Sequence, residues 1–113
     1  MAEIPVQRID KSGKYAVYLW ETITAGDTCE ALPVHDFDDI TIYVTGTFDS
    51  NTISLTGSAT KTGTYAALRD VLTAAAIGIT EAGTGLVAEG ALFVKPANTG
   101  GTTIDIDVYL VAK

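Results

Sequence analysis

One cysteine, one histidine and one tryptophan stand in a chain of 113 residues, and each scarcity removes a class of chemistry. A single cysteine forms no intrachain disulfide, and Cys29 has no second thiolate with which to build a metal site. Asp27 and Glu30 flank it and work against a reactive thiolate, so Cys29 reads as a small, half-buried loop residue. The lone His35 has no G-x-S-x-G motif to serve, which leaves serine hydrolysis without its base. Basic residues are also few, seven Lys and Arg against fourteen Asp and Glu, for a formal net charge of -7 and a pI near 4.3. That balance argues against sequence-independent nucleic-acid binding, which needs cations to displace phosphate counterions. No apolar run approaches the length that spans a bilayer, and the first fourteen residues lack the apolar stretch of a secretory signal. Synthesis and folding in a cytoplasm are therefore expected. Charged residues make up only 19% of the chain, which fits either a surface partly covered by partners or a sheet coated with Thr and Ser.

What is present is the grammar of an all-β protein. A chain of this length is one domain able to bury roughly two thirds of its unfolded surface. Its 47% hydrophobic residues, eleven glycines and many threonines suit short strands and turns better than helices. Residues 39–58, DITIYVTGTFDSNTISLTGS, alternate with a period of two. Ile40, Ile42, Val44, Gly46 and Phe48 share one face, and Thr41, Tyr43, Thr45 and Thr47 the other. Ile53, Leu55 and Gly57 repeat the pattern after Asp49-Ser50-Asn51, a polar loop of the kind that closes a hairpin, with Asn51 suited to a left-handed conformation.

Residues 1–14 read as a polar N-terminal arm with isolated Ile4, Val6 and Ile9, and residues 15–113 as a single β-sandwich domain. Residues 15–20, YAVYLW, form a strand with Tyr15, Val17 and Leu19 on one side and Ala16, Tyr18 and Trp20 on the other. A long connection over 21–39, of the sort Greek-key and jelly-roll topologies require, carries the acidic stretch from His35 to Asp39. Residues 64–69 suggest a strand, while Leu68, Val71, Leu72 and Ala75 also fit helical spacing, so at most one short helix is expected there. Residues 77–81 and 86–89 read as short strands around a turn at 82–85, and 91–95 as a strand that Pro96 helps to end. Along 103–112, Ile104, Ile106, Val108 and Leu110 point inward and Asp105, Asp107 and Tyr109 outward. Seven or eight strands with turns every eight to twelve residues indicate a sandwich or barrel.

Catalytic, metal and cofactor sites find little support. His35 with Asp36, Asp38 and Asp39 offers oxygen ligands, but without the glycine and bidentate Glu of a calcium loop it reads as a solvated acidic loop. Asp105 and Asp107, two residues apart on one strand face, have the residue types of a glycosidase pair and read better as hydrated carboxylates. The Gly83-Thr84-Gly85 and Gly100-Gly101 pieces precede neither a helix nor a Lys, so they form no phosphate cradle. The expectation is a protein with no enzymatic activity and no cofactor. Aromatics remain, because exposed Tyr and Trp mark protein interfaces and sugar platforms. Trp20 and Tyr18 fit a core role or an interface role; Tyr43 and Tyr109, flanked by Thr or Asp, are the residues expected to be exposed.

In order, the chain carries W-x6-D at 20–27, D-x-T-x-x-V-T-G-T-F at 39–48, L-x-G-S at 55–58, Y-A-A-L-R-D at 65–70, and L-F-V-K-P-A-N-T-G-G-T-T-x-D-I-x-V-x-L-V-A-K at 92–113. This series resembles the capsid decoration (cement) proteins of short-tailed double-stranded-DNA bacteriophages, over nearly the whole chain from Trp20 onward. Cys29, the His35 to Asp39 stretch and the alanines near 70–76 have no counterpart in that pattern. The resemblance implies a jelly-roll-like antiparallel sandwich that binds the outer surface of an expanded head and bridges neighbouring major capsid subunits without chemistry. It also implies the major capsid protein as partner and the virion surface as location. Closed symmetry favours a homodimer, with a trimer on a three-fold site as the alternative. Ile4, Val6 and Ile9 of the arm, with Tyr43 and Tyr109, are the candidate contact residues. Rival expectations are a tail or receptor-binding accessory domain and a carbohydrate-binding sandwich module.

Overall fold

The alternating Val, Ile and Thr segments hydrogen-bond into two facing antiparallel sheets, because each has one apolar side that only a second sheet can cover. The computed structural model describes residues 3–11, 14–34, 37, 39–88, 92–100 and 102–113. Its strands are β1 (Glu3–Ile4), β2 (Val6–Lys11), β3 (Ala16–Ile23), β4 (Thr28–Cys29), β5 (Leu32–Pro33), β6 (Ile40–Thr47), β7 (Thr52–Ser58), β8 (Ala66–Ala67), β9 (Gly83–Leu86), β10 (Phe93–Thr99) and β11 (Asp105–Ala112). One sheet runs β2-β3-β11-β6-β9, the facing sheet runs β5-β10-β7-β8, and β1 pairs with β4 in a small parallel ribbon. The antiparallel pairs β3 with β11, β5 with β10, β6 with β9 and β7 with β8 describe a ribbon folded over on itself. Pairing of β11 with β6 and of β10 with β7 then closes each sheet, which is a jelly-roll-like winding.

Between the sheets lies one core. Trp20, Ile23, Ile42, Val44, Ile53, Leu55, Val94, Ile106, Val108 and Leu110 are completely buried. Ile42, Val44, Ile53, Leu55, Ile106, Val108 and Leu110 are the inward positions that the period of two in β6, β7 and β11 assigns, while Trp20 and Ile23 come from β3 and Val94 from β10. Trp20 belongs to this core, and its indole Nε1 donates to the Glu30 carbonyl at 2.9 Å.

The hairpin expected over residues 39–58 does not form. β6 and β7 lie in opposite sheets, each with its own partners, and the segment between them arches across the core. A hairpin would put both apolar rows on one face of one sheet; the arch sets Ile42 and Val44 against the sheet that carries Ile53 and Leu55. Positive φ angles fall at Asp49 (44°) and Ser50 (62°), not at Asn51. Asn51 is fully buried instead, its N–H donating to Phe48 O at 2.7 Å and its Nδ2 to the Gly100 carbonyl.

Other expectations shift for local reasons. Residues 3–4 and 6–11 of the segment read as an arm are built into the sandwich as β1 and β2, the latter pairing with β3 through a bulge between Arg8 and Asp10. No helix forms among the described residues of 66–76; β8 and the bridges Arg69 to Ala76 and Asp70 to Val87 take its place. Of the supposed helical face only Leu68 is buried, so there is no apolar stripe for a helix to dock. The Asp70 carboxylate meanwhile accepts the N–H groups of Leu72 (2.7 Å) and Leu86 (3.3 Å), holding a tight turn. Residues 83–85, expected within a turn, join Leu86, expected as a strand residue, in β9, and the ends at Glu89 and Ala91 of two expected strands lie outside the described residues. Pro96 does not end β10, which continues to Thr99 against β7. The short β5 pairs only with Phe93 and Val94, so beyond them that side of β10 has no β5 partner and a residue without an N–H is tolerated.

Candidate interaction surface

Among the described residues, no three His, Cys, Asp or Glu side chains converge where they would hold a metal ion. His35, Asp36 and Asp38 of the acidic stretch lie outside the described residues. Asp107 is occupied structurally, its Oδ1 accepting the Thr22 N–H at 2.8 Å, at the positive φ (58°) that Thr22 adopts beside the bulge in the β3–β11 ladder. Cys29 is not the half-buried loop residue expected but a strand residue only 2% exposed. Burial first, and the nearby Asp27 second, push its thiol up to about 12, so it is a neutral core side chain at physiological pH.

A polar device that sequence reading missed joins the arch to the β10–β11 connection. Asp49 Oδ2 accepts the N–H groups of Thr102 and Thr103 at 2.9 and 3.0 Å and the Thr103 hydroxyl at 2.8 Å. These bonds hold its carboxyl down at about 2, from an ordinary 3.8. A pKa lowered by folding contributes stability that is complete above the unfolded value and disappears as pH falls through the folded one. Asp49→Asn removes this titration while keeping a residue that tolerates positive φ. The stability gap between wild type and Asp49→Asn, measured by thermal melting, is therefore expected to be largest above pH 4 and to close towards pH 2. A gap independent of pH over that window would refute the role.

The two outer sheet faces differ in kind. On the four-stranded sheet, registered rows across β10 and β7 read Thr99 with Thr52, Ala97 with Ser54, and Lys95 with Thr56. Lys95 Nζ stands 4.3 Å over the Tyr65 ring and Thr56 Oγ1 donates to the Lys95 carbonyl at 2.8 Å, while the last row on this face sets the half-buried Phe93 between Pro33 and Ser58, so the face is mostly polar with one apolar end. On the five-stranded sheet, one row runs Gln7, Leu19, Tyr109, Tyr43, Thr84, and the next runs Asp10, Val17, Val111, Thr41, Leu86. These rows form an aromatic and aliphatic band in which Tyr43 is exposed, Val17, Tyr109, Val111 and Leu86 are half-buried, and Leu19 is buried. It ends in a depression of about 220 Å³ lined by Asp39, Thr41, Leu86, Val111 and Lys113.

The five candidate contact residues separate accordingly. Tyr43, 44% exposed, and the half-buried Tyr109 are direct neighbours in this band. Ile4 and Val6 pack partly buried against the core. Glu30 holds them there, its N–H donating to Ile4 O and its Oε1 accepting the Val6 N–H, both at 2.9 Å. Ile9 sits at the β2 bulge, 48% exposed. Val17, Leu19, Val111 and Leu86 were not among the candidates; a strand with two apolar faces, as in YAVYLW, was the signal for the first two.

No protein-family model matches the chain, and no curated protein matches it by sequence. Solved structures share its fold. The SPBc2 prophage-derived protein YomS matches with a TM-score of 0.69 at 14% identity, over 95% of this chain and 100% of that one. The PBSX exported protein XepA matches with a TM-score of 0.65 at 18% identity, over 90% of this chain. This chain spans 39% of XepA. At such identities the likeness is one of fold.

Proposed function

We propose that this protein is a non-catalytic virion component that attaches to the outer surface of a phage head and stabilises it by bridging major capsid subunits. The observation that carries the reading is a jelly-roll-like sandwich, a fold shared with the SPBc2 prophage-derived protein YomS and the PBSX exported protein XepA, with Tyr43 and Tyr109 side by side on one outer face. An attachment protein needs one such face and no reactive centre. A head also offers many equivalent sites, so an interface of ordinary size, about 1,600 Å² in total, gives specific binding, and a homodimer or trimer gains further by attaching at two or three points. The chain is made in the host cytoplasm and joins the outer capsid surface after expansion.

Co-sedimentation with DNA-filled heads, empty heads and free tails of the parent phage tests this. Saturable binding to expanded heads alone is the expected result. A folded protein that binds tails and not heads would place it in a tail or receptor-binding role and overturn the proposal.

A further inference from the structure

We infer that the outer face of the five-stranded sheet is the docking surface, and that its occupant is a protein surface with an apolar centre and a basic rim, rather than a second copy of this chain. This rests on the attachment reading above and deepens it. The band of Tyr43, which is exposed, with the half-buried Val17, Tyr109, Val111 and Leu86 around the buried Leu19, is contiguous because the register sets these residues directly opposite one another on adjacent strands. Partly exposed apolar groups so aligned on an outer sheet face mark an interaction site more strongly than scattered single residues do. The centre is aliphatic as well as aromatic, which suits a protein side-chain surface; a sugar needs hydrogen-bonding partners that Val17, Leu19 and Val111 cannot supply.

Charge decides between occupants. Asp10 ends the second row, Asp107 and Asp105 pair with Thr45 and Thr47 on the next positions along β11, and Glu21 follows Leu19 on β3. Asp39 and Lys113 close the remaining corner, exchanging two backbone hydrogen bonds at 3.1 and 2.9 Å. An isologous dimer through this face would set the acidic rim of one copy against the acidic rim of the other, in a chain that already carries -7. The same carboxylates repel nucleic acid and anionic lipid. A partner that presents Lys and Arg around an apolar patch satisfies both the band and its rim.

The experiment is co-sedimentation with DNA-filled heads at low and high salt for wild type, Tyr43→Ala, Asp105→Lys and, on the opposite sheet, Ser54→Glu, with folding of each checked by circular dichroism. Tyr43→Ala is expected to weaken binding roughly tenfold or more, as loss of a central interface aromatic does. Asp105→Lys is expected to weaken it and to flatten the salt dependence, while Ser54→Glu binds as wild type does. Head binding by wild type with Tyr43→Ala and Asp105→Lys equally tight would overturn the docking face and leave head attachment standing. Binding to tails alone that Tyr43→Ala abolishes would uphold the face and remove head attachment. Self-association in the ultracentrifuge that Tyr43→Ala abolishes, or glycan-array binding that it abolishes, would give the face to a second copy or to a sugar and overturn the basic-rimmed partner.

Discussion

Replacing Trp20 with alanine is expected to cost about 3–5 kcal/mol, a large share of the roughly 5–15 kcal/mol that holds a domain together. The side chain is completely buried in the core between the sheets and pairs in register with Val6 on one neighbour and Val108 on the other. Its removal leaves a cavity bounded by strands whose positions the ladders hold, so collapse around it is limited. Trp20→Phe separates packing from hydrogen bonding: it keeps most of the apolar contact but leaves the Glu30 carbonyl without its indole donor, at about 1–3 kcal/mol if that carbonyl stays dry. Glu30 also ties down Ile4 and Val6, so both variants should loosen β1 and β2 before the rest of the sandwich. Urea unfolding followed by far-UV circular dichroism measures the cost, and amide exchange at residues 3–11 reads the local loosening. A cost for Trp20→Ala below about 1 kcal/mol would show that the core closes over the gap and would refute this account of the indole.

Gly46→Ala is the second change expected to be severe. Gly46 has a φ of 129°, which L side chains rarely adopt, and a Cβ there would lie 2.1 Å from the Asp105 carbonyl oxygen and 2.9 Å from the Ile106 Cα. Both obstacles are backbone, so relief requires β6 and β11 to separate where Gly46 pairs with Ile106. The strained φ alone is worth about 1–3 kcal/mol, and the lost pairing adds to it. A domain of this size loses roughly 4–8 °C of Tm per kcal/mol, so the fall should be obvious in a thermal melt. Gly78→Ala is the control: its nearest obstacle is the Thr52 Cγ2 at 3.5 Å, an ordinary contact, and its Tm should stay close to wild type. Equal melting of the two variants would refute the close approach at Gly46.

The contrast between these two positions shows what the sequence expresses. Within β6, β7 and β11, alternation alone identified the buried rows, because a strand's side-chain period is two and one side must leave water. Trp20 was ambiguous, since YAVYLW is apolar on both faces; only pairing with β2 and β11 shows which face turns inward. Gly46 looked like one more inward position, and its positive φ follows from the approach of a strand sixty residues later in the chain. Residues 66–76 misled in the opposite direction. Alanine favours helix locally, but Asp70 captures the backbone of Leu72 and Leu86 and the segment has no buried stripe to reward a helix.

The candidate surface was half legible. Tyr43 and Tyr109 could be assigned to the hydrated side of their own strands by alternation, yet nothing in the sequence says that they are neighbours. Val17, Leu19 and Leu86 join them only through the ladders of β3 and β9. Ile4 and Val6 looked free because isolated apolar residues in a polar segment carry no period; Glu30, more than twenty residues away, holds them to the core.

By itself the sequence determined that this is an all-β chain with alternating apolar strands, a net acidic charge and no second cysteine for a disulfide. Those properties depend on residue type and on spacing within a single strand. Only the tertiary structure decided that residues 39–58 arch between two sheets, that the N-terminal segment supplies β2, and that Tyr43, Tyr109 and their aliphatic neighbours share one outer face. A strand's pattern states that one side must be covered, but which strand covers it is settled by pairing between segments far apart in the chain, where the burial of the whole core selects one arrangement.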